Sequence, residues 1–361
     1  MLTGLGFRIQ NVHVNIRDTT ESSAEPEGPR TVGLHARCER LLARLGIGGE
    51  LRGVRPLEGG VSSDIVVVDA GDRRLCVKFA LPTLRTVEGW HAPVERNVAE
   101  YAWLRFAATV APDDMLELLG QAEDGFAMEF VDGPDVTLWK RSLLEGRGRP
   151  VHEARAVGDV LGRVHAGSTR PDFDREPFDN LASFEALRID PYLRFTAGRH
   201  DALADRLTAL ADELSGSDGV LVHGDVSPKN VLFRSGRPIL LDAECATMGD
   251  AAFDVAFCLN HLVLKGVHLP DTRQTLLAAA RALWGAYAPH VRWEDPGALE
   301  SRAAALLPAL MLARVDGKSP VEYLSDAARE RVRRLATTLL EDPSSRLDDL
   351  HDRLHTGMAV P

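Results

Sequence analysis

The stretch "LVHGDVSPKNVLF", Leu221 to Phe233, places an aspartate, Asp225, and an asparagine, Asn230, in a short polar loop between two apolar β-type runs. A carboxylate in such a loop can orient a hydroxyl nucleophile and accept its proton. An amide oxygen at Asn230 suits Mg²⁺, a hard ion that prefers oxygen ligands. A second carboxylate, Asp242, ends the run "PILLD". If the runs on either side pair as a hairpin, Asp242 returns beside Asn230 and three oxygen-bearing side chains converge. A metal held by one or two protein groups together with phosphates is the arrangement used for phosphoryl transfer.

The order His223-Gly224-Asp225, then Asn230, then Asp242 follows the H-x-D-x-x-x-x-N pattern of kinases with its later metal-binding aspartate. With "HGD", "SPKN" and the following "MGDAAFDVAFCLNHL", the chain resembles the aminoglycoside phosphotransferase and choline kinase family of small-molecule kinases. The resemblance runs from about Leu57 to Leu262. It implies an α+β, protein-kinase-like bilobal fold, with a small β-rich N-lobe and a larger, mainly helical C-lobe. It also implies ATP and Mg²⁺ as cofactors, Asp225 as the catalytic residue, and Asn230 and Asp242 as metal ligands.

Further pieces follow from the same resemblance. Lys78 in "LCVKFA" is the candidate for holding the nucleotide's α- and β-phosphates, and Glu100 on the next helix is its candidate partner, with Glu95 the alternative. "LEGGVSSD" reads as a short phosphate loop, where Gly59 and Gly60 let backbone N–H groups approach and Ser62 and Ser63 add hydroxyl donors. "FAMEFVDGPD" reads as a hinge presenting the backbone of Glu129 and Val131 to adenine, with Met128 behind. His223, His165, Asp250 and Asp254 read as structural, Asp254 by accepting from the catalytic loop and capping its own helix. Lys229 is expected in solvent. Glu244 is balanced between a metal-site role, as in the D-x-E of methylthioribose kinases, and none. Those kinases resemble "HGDLHTGS" and lack the asparagine that this chain keeps. Gly224 stands where protein kinases have arginine, and Ser227 where many relatives have a basic residue.

The elements that must position these groups are legible in outline. "DTTESSAEPEGPRTVG" is poor in apolar residues, and 1–33 is expected to be a flexible segment. Residues 34–132 form the expected N-lobe and 133–361 the expected C-lobe. "LHARCERLLARLGI" has helical spacing ending near Gly46. "SDIVVVDAGDRRLCVKFA" and "MLELLGQAEDGFAMEFVDG" read as hairpins. The intervening "VERNVAEYAWLRFAATV" reads as a helix with Val94, Val98 and Tyr101 on one stripe. Thus the first third is β-β-β-α-β-β, and the remainder is helical except for "GVLVHGDVSPKNVLF" and "RPILLDAEC".

The chain has 361 residues and a formal net charge of −11, which excludes the basic footprint of a nucleic-acid binder. No apolar run reaches membrane-spanning length and the first residues lack a secretory pattern, so a cytoplasmic location is expected. The four cysteines form no C-x-x-C pair and read as reduced, buried thiols. The expected partner is a small hydroxylated acceptor: an aminoglycoside or other antibiotic, an amino alcohol or a sugar. Arg188, Asp190 and Tyr192 are candidate contacts to it. A kinase-like nucleotide-binding module without turnover is the alternative. A protein kinase is disfavoured by the missing A-P-E element and catalytic-loop arginine.

Overall fold

A computed structural model describes residues 29–57, 62–81, 96–122 and 125–359. The chain divides into two compact units, Met1–Val94 with Glu117–Asp132, and Glu95–Leu116 with Gly133–Pro361.

In the first unit, helix α1 (Pro29–Arg44) precedes strands β1 (Leu51–Pro56), β2 (Ser63–Ala70) and β3 (Arg73–Ala80). Strands β4 (Leu118–Ala122) and β5 (Gly125–Glu129) complete an antiparallel sheet of order β1-β2-β3-β5-β4. The β2–β3 hairpin turns at Gly71, whose φ of 59° is left-handed and open to glycine without a side-chain clash. Alternation puts Leu75, Val77 and Phe79 of β3 on one face, where they join Val66, Val68 and the α1 residues Cys38 and Leu41 in one apolar core. Lys78 therefore belongs to the other face.

The second unit begins with α2 (Arg96–Val110), which the sequence reading assigned to the N-lobe but which groups with the helical unit. Its expected apolar stripe is not the buried one. Val98 is 48% exposed, while Arg96, Asn97, Ala99, Glu100, Trp103 and Leu104 are buried. The inward face carries Trp103, Leu104 and Ala107 together with Arg96, whose guanidinium pairs with Glu244.

Strand β6 (Val136–Leu138) and helices α3 (Trp139–Glu145) and α4 (Pro150–Ser168) follow. Next, α5 (Leu181–Phe184) runs into a π-helical stretch, Glu185–Arg194, that carries Pro191 in its interior and leads into α6 (Phe195–Ala197). Such wide turns are uncommon and concentrate at functional sites. After α7 (Ala204–Ser215) come the short strands β7 (Val220–Val222), β8 (Val231–Arg234), β9 (Arg237–Leu240) and β10 (Thr247–Gly249). The β8–β9 hairpin forms as the sequence reading requires, and β6 adds to it in the order β6-β8-β9. β10 pairs antiparallel with β7. β6 and β10 have three residues each, too few for a period-2 pattern to declare itself in sequence.

Helix α8 (Ala251–His268) is buried from Ala251 to Val267. A helix apolar on nearly every side belongs at the centre of a domain, and α9 (Arg273–Tyr287), α10 (Pro296–Asp316) and α11 (Asp326–Glu341) pack on it. α12 (Leu347–Ala359) closes the chain. No described helix is long and apolar enough to cross a membrane.

Candidate active site

The loop between β7 and β8 is fixed from below by one carboxylate. Asp254, in the first turn of α8 and fully buried, accepts from the backbone N–H of His223 at 2.6 Å and of Gly224 at 2.9 Å. Its Oδ2 also lies 3.2 Å from His165 Nε2, and His165 Nδ1 lies 2.8 Å from the Tyr287 hydroxyl. His165 is therefore more than helix packing: it links α4 and α9 to the loop through Asp254. The expectation that Asp254 caps α8 fails. Asp250 is the cap, accepting from Ala252 N–H at 2.9 Å. Asp254 lies inside the helix, beyond reach of the first N–H groups.

Gly224 is required by two constraints together. Its φ is +79°, and an added Cβ would lie 2.7 Å from Cys245 Cβ and 2.9 Å from Cys245 O. An arginine is sterically excluded here, which accounts for H-G-D in place of H-R-D. His223 packs edge-to-face on Trp103, centroids 4.7 Å apart, and its Nδ1 accepts from Asp225 N–H at 3.1 Å. Burial lowers its pKa, with the nearby Arg188 cation adding to the effect, against the pull of Asp254, Asp225 and Asp242. The ring is thus neutral and structural.

Asp225 is only 3% exposed. Its Oδ2 lies 2.9 Å from Arg188 Nη2 and 2.9 Å from Lys229 Nζ. Burial pushes its pKa up, but Lys229 and Arg188 outweigh burial and hold it below the ordinary value, so the carboxylate is ionised. Lys229, expected in solvent, is 43% exposed yet reaches back one turn to this carboxylate, and the pairing raises its pKa despite desolvation. Arg188, a candidate acceptor contact in sequence, is buried on the π-helical stretch. It donates through Nε to Gly224 O and through Nη1 to Leu187 O at 2.8 Å. Arg188 thus brings a positive group to Asp225 from a distant segment, and no local spacing announces it.

Asn230 closes a single 3-10 turn, and Leu241 N–H donates to Asn230 O at 2.8 Å. Asp242 follows directly, so the hairpin brings the two residues together as the spacing requires. Asn230 Nδ2 donates to Asp225 O at 3.1 Å. That bond fixes the amide, whose Oδ1 is a hard oxygen donor. Asp242 has φ +67°, one of two described non-glycine residues in the left-handed region, a strained conformation found preferentially at functional sites. Among the described residues no three His, Cys, Asp or Glu side chains gather as a metal cluster. An amide and a carboxylate completed by phosphates remain suited to Mg²⁺. Glu244 points to the Arg96 guanidinium, with Oε2 at 3.1 Å from Nε.

In the first unit, Lys78 on β3 is 2% exposed, with Ile65 and Phe126 beside it in register. It is not a solvated strand lysine. Ser62 and Ser63 are buried, and Leu81 N–H donates to Ser62 O at 2.9 Å. Gly59 and Gly60 lie outside the described residues, as do Glu95 and Val94. Glu129 ends β5 and its N–H donates to Glu117 O at 2.8 Å; Val131 is buried. Glu100 is buried on α2, in the second unit.

The model of the phosphotransferase enzyme family matches residues 53–290. The methylthioribose kinase of Pectobacterium atrosepticum is 25% identical over 254 residues, covering 60% of this chain and 62% of that kinase. The Bacillus mycoides methylthioribose kinase is 22% identical over 235 residues, covering 58% and 60%. The chain thus spans about three-fifths of the length of these curated relatives. Among solved structures, an amicoumacin kinase in complex with AMP-PNP, Ca²⁺ and Ami superposes with a TM-score of 0.54 at 15% identity, over 90% of this chain and 99% of that one. A choline/ethanolamine kinase family protein from Mesorhizobium loti gives 0.50 at 18% identity, over 90% and 98%. At these identities the structural likeness shows the protein-kinase-like fold.

Proposed function

The chain belongs to the phosphotransferase enzyme family, and on that premise we propose that it transfers the γ-phosphate of ATP to a hydroxyl of a small molecule. The observation that carries this reading is a buried, ionised Asp225 in a pinned loop, with Asn230 and Asp242 brought together beside it. In the proposed mechanism Asp225 orients the acceptor hydroxyl and takes its proton. Asn230 Oδ1 and the Asp242 carboxylate would hold Mg²⁺, which would supply charge neutralisation on the phosphates. Lys78, Glu100, Ser62, Ser63 and the glycines Gly59 and Gly60 keep their proposed nucleotide-binding roles, and Glu129 and Val131 their proposed adenine contacts. Catalysis is then mainly positioning and charge stabilisation. The partner is a hydroxylated small molecule, and a cytoplasmic location is part of the same reading, supported by four buried free thiols.

The test is ADP release from Mg-ATP across a panel of hydroxylated acceptors. Acceptor-stimulated release should fall by about 10²–10⁴-fold in Asp225→Asn, while Mg-ATP binding persists. Equal release by the variant would refute the assigned role. Nucleotide binding with no stimulated release by any acceptor would favour the non-catalytic module instead.

A further inference from the structure

The last turn of α8 holds a buried cation that has no carboxylate partner among the described residues. Lys265 is 1% exposed, and its single hydrogen bond goes to His261 O at a long 3.4 Å. An ammonium carries three donors, so at least two are unused. The Tyr323 ring lies 5.2 Å from Nζ to the centroid. The Tyr323 hydroxyl is itself buried without a hydrogen-bond partner, and so is Nε of Arg314. Arg314 is oriented by the Tyr192 hydroxyl at 3.2 Å and by Ser319, and among the described residues no carboxylate lies within ion-pair distance of it. Three neighbouring side chains therefore present donors that the protein does not satisfy, and buried donors are ordinarily paired.

This group belongs to the same region as Asp225. Tyr192 packs on Phe257 at 5.7 Å, Phe257 on His261 at 5.2 Å, and the Arg188 guanidinium lies 6.0 Å from the Phe257 ring. Arg188 in turn contacts Asp225. The end of α10, which carries Arg314, is tied to the π-helical stretch by Lys318 N–H on Pro191 O at 3.0 Å. Burial drives the His261 imidazole well below its usual pKa, and four cations add to that effect: Lys265, Arg314, Lys229 and Lys140. Burial likewise lowers the Lys265 ammonium to about 7, aided by Lys140 and Arg314 and opposed by Glu322. Glu322 is engaged by Lys140 at 2.6 Å, and Asp225 by Arg188 and Lys229. In a chain of net charge −11, this locality is positive. Lys265 and His261 are buried, while Arg314, Tyr323 and Lys140 are partly exposed.

Resting on the phosphotransferase reading, we propose that the acceptor carries an anionic group, a carboxylate or a phosphate, received by Lys265, Arg314 and Tyr323 while its hydroxyl faces Asp225. An anion supplies the acceptor atoms these donors lack and the charge the lysine lacks. A polycationic acceptor would meet like charge.

The test is thermal unfolding of the full chain at fixed ionic strength with Mg-ATP and, separately, with glycerate, glycerol 3-phosphate, glycerol and kanamycin. The expected result is a rise in Tm with glycerate or glycerol 3-phosphate, no rise with glycerol or kanamycin, and loss of the anion-induced rise in Lys265→Met and in Arg314→Met. Whichever anion acts identifies carboxylate or phosphate. Both variants should keep the Mg-ATP shift. The proposal is overturned if neither anion stabilises the wild type, if both variants respond as the wild type does, or if kanamycin stabilises more than either anion. Loss of the Mg-ATP shift in the variants would assign the cations to the nucleotide and also overturn it. Absence of a Mg-ATP shift in the wild type would instead undermine the phosphotransferase reading, leaving the anion result to decide the cluster separately.

Discussion

The two ends of α8 bury opposite charges and treat them differently. At the first turn, Asp254 accepts from two backbone N–H groups and faces His165, so its oxygens are satisfied by the protein. At the last turn, Lys265 has one long bond to a carbonyl and no carboxylate in contact. Buried charges cost several kcal/mol unless paired and hydrogen-bonded. The satisfied end serves as scaffold for the loop that carries Asp225. The unsatisfied end stores a demand that a ligand can meet.

The strongest way to break this comparison is at Asp254. Asp254→Ala leaves the His223 and Gly224 N–H groups and His165 without their acceptor, and stability should fall by about 3–5 kcal/mol. Urea unfolding measures it, and a loss below 1 kcal/mol would show that the loop holds itself. Next in size is Gly224→Ala, at which left-handed backbone strain of about 1–3 kcal/mol adds to the clash with Cys245. The same denaturation curves should show it, together with weakened phosphate transfer because Asp225 is the next residue. The smallest effect has the opposite sign. Lys265→Met removes a buried, unpaired ammonium, and the apo protein should gain about 1 kcal/mol or more.

A pH series sharpens that last contrast. Lys265 is held at about 7, against about 10.4 for an ordinary lysine. Below pH 7 folded and unfolded chains both hold the proton and the cost of burying charge is complete. Between the two values the unfolded chain binds a proton that the folded chain does not. Stability should therefore rise with pH across that window and level off above it. The difference in stability between Lys265→Met and wild type should shrink over the same range. A constant difference would mean that the ammonium is already compensated.

Much of the candidate site was legible because its spacing is local. Asp225 and Asn230 share one loop, and one hairpin returns Asp242 to Asn230. Strand alternation set Lys78 apart from Leu75, Val77 and Phe79. What escaped the sequence was nonlocal. Val98 looked like an inward residue on α2, but the face that carries Trp103, Leu104 and Arg96 is the inward one. Lys229 looked solvated, but the buried carboxylate one turn away held it. Asp254 was rightly assigned to the loop backbone and wrongly to a cap. Arg188 was singled out for an acceptor contact, whereas its guanidinium lies on Asp225 and Gly224.

The sequence by itself determined the chemical types of the oxygen-bearing groups and their order along the chain, since loop length and strand period act over a few residues. Only the tertiary structure decided which cation faces which carboxylate. The π-helical stretch brings Arg188 to Asp225, α2 brings Arg96 to Glu244, and the packing of α8 against α10 and α11 leaves Lys265 without a counter-ion. Desolvation and Coulomb energy depend on what distant segments place within a few ångströms, and no local pattern encodes that.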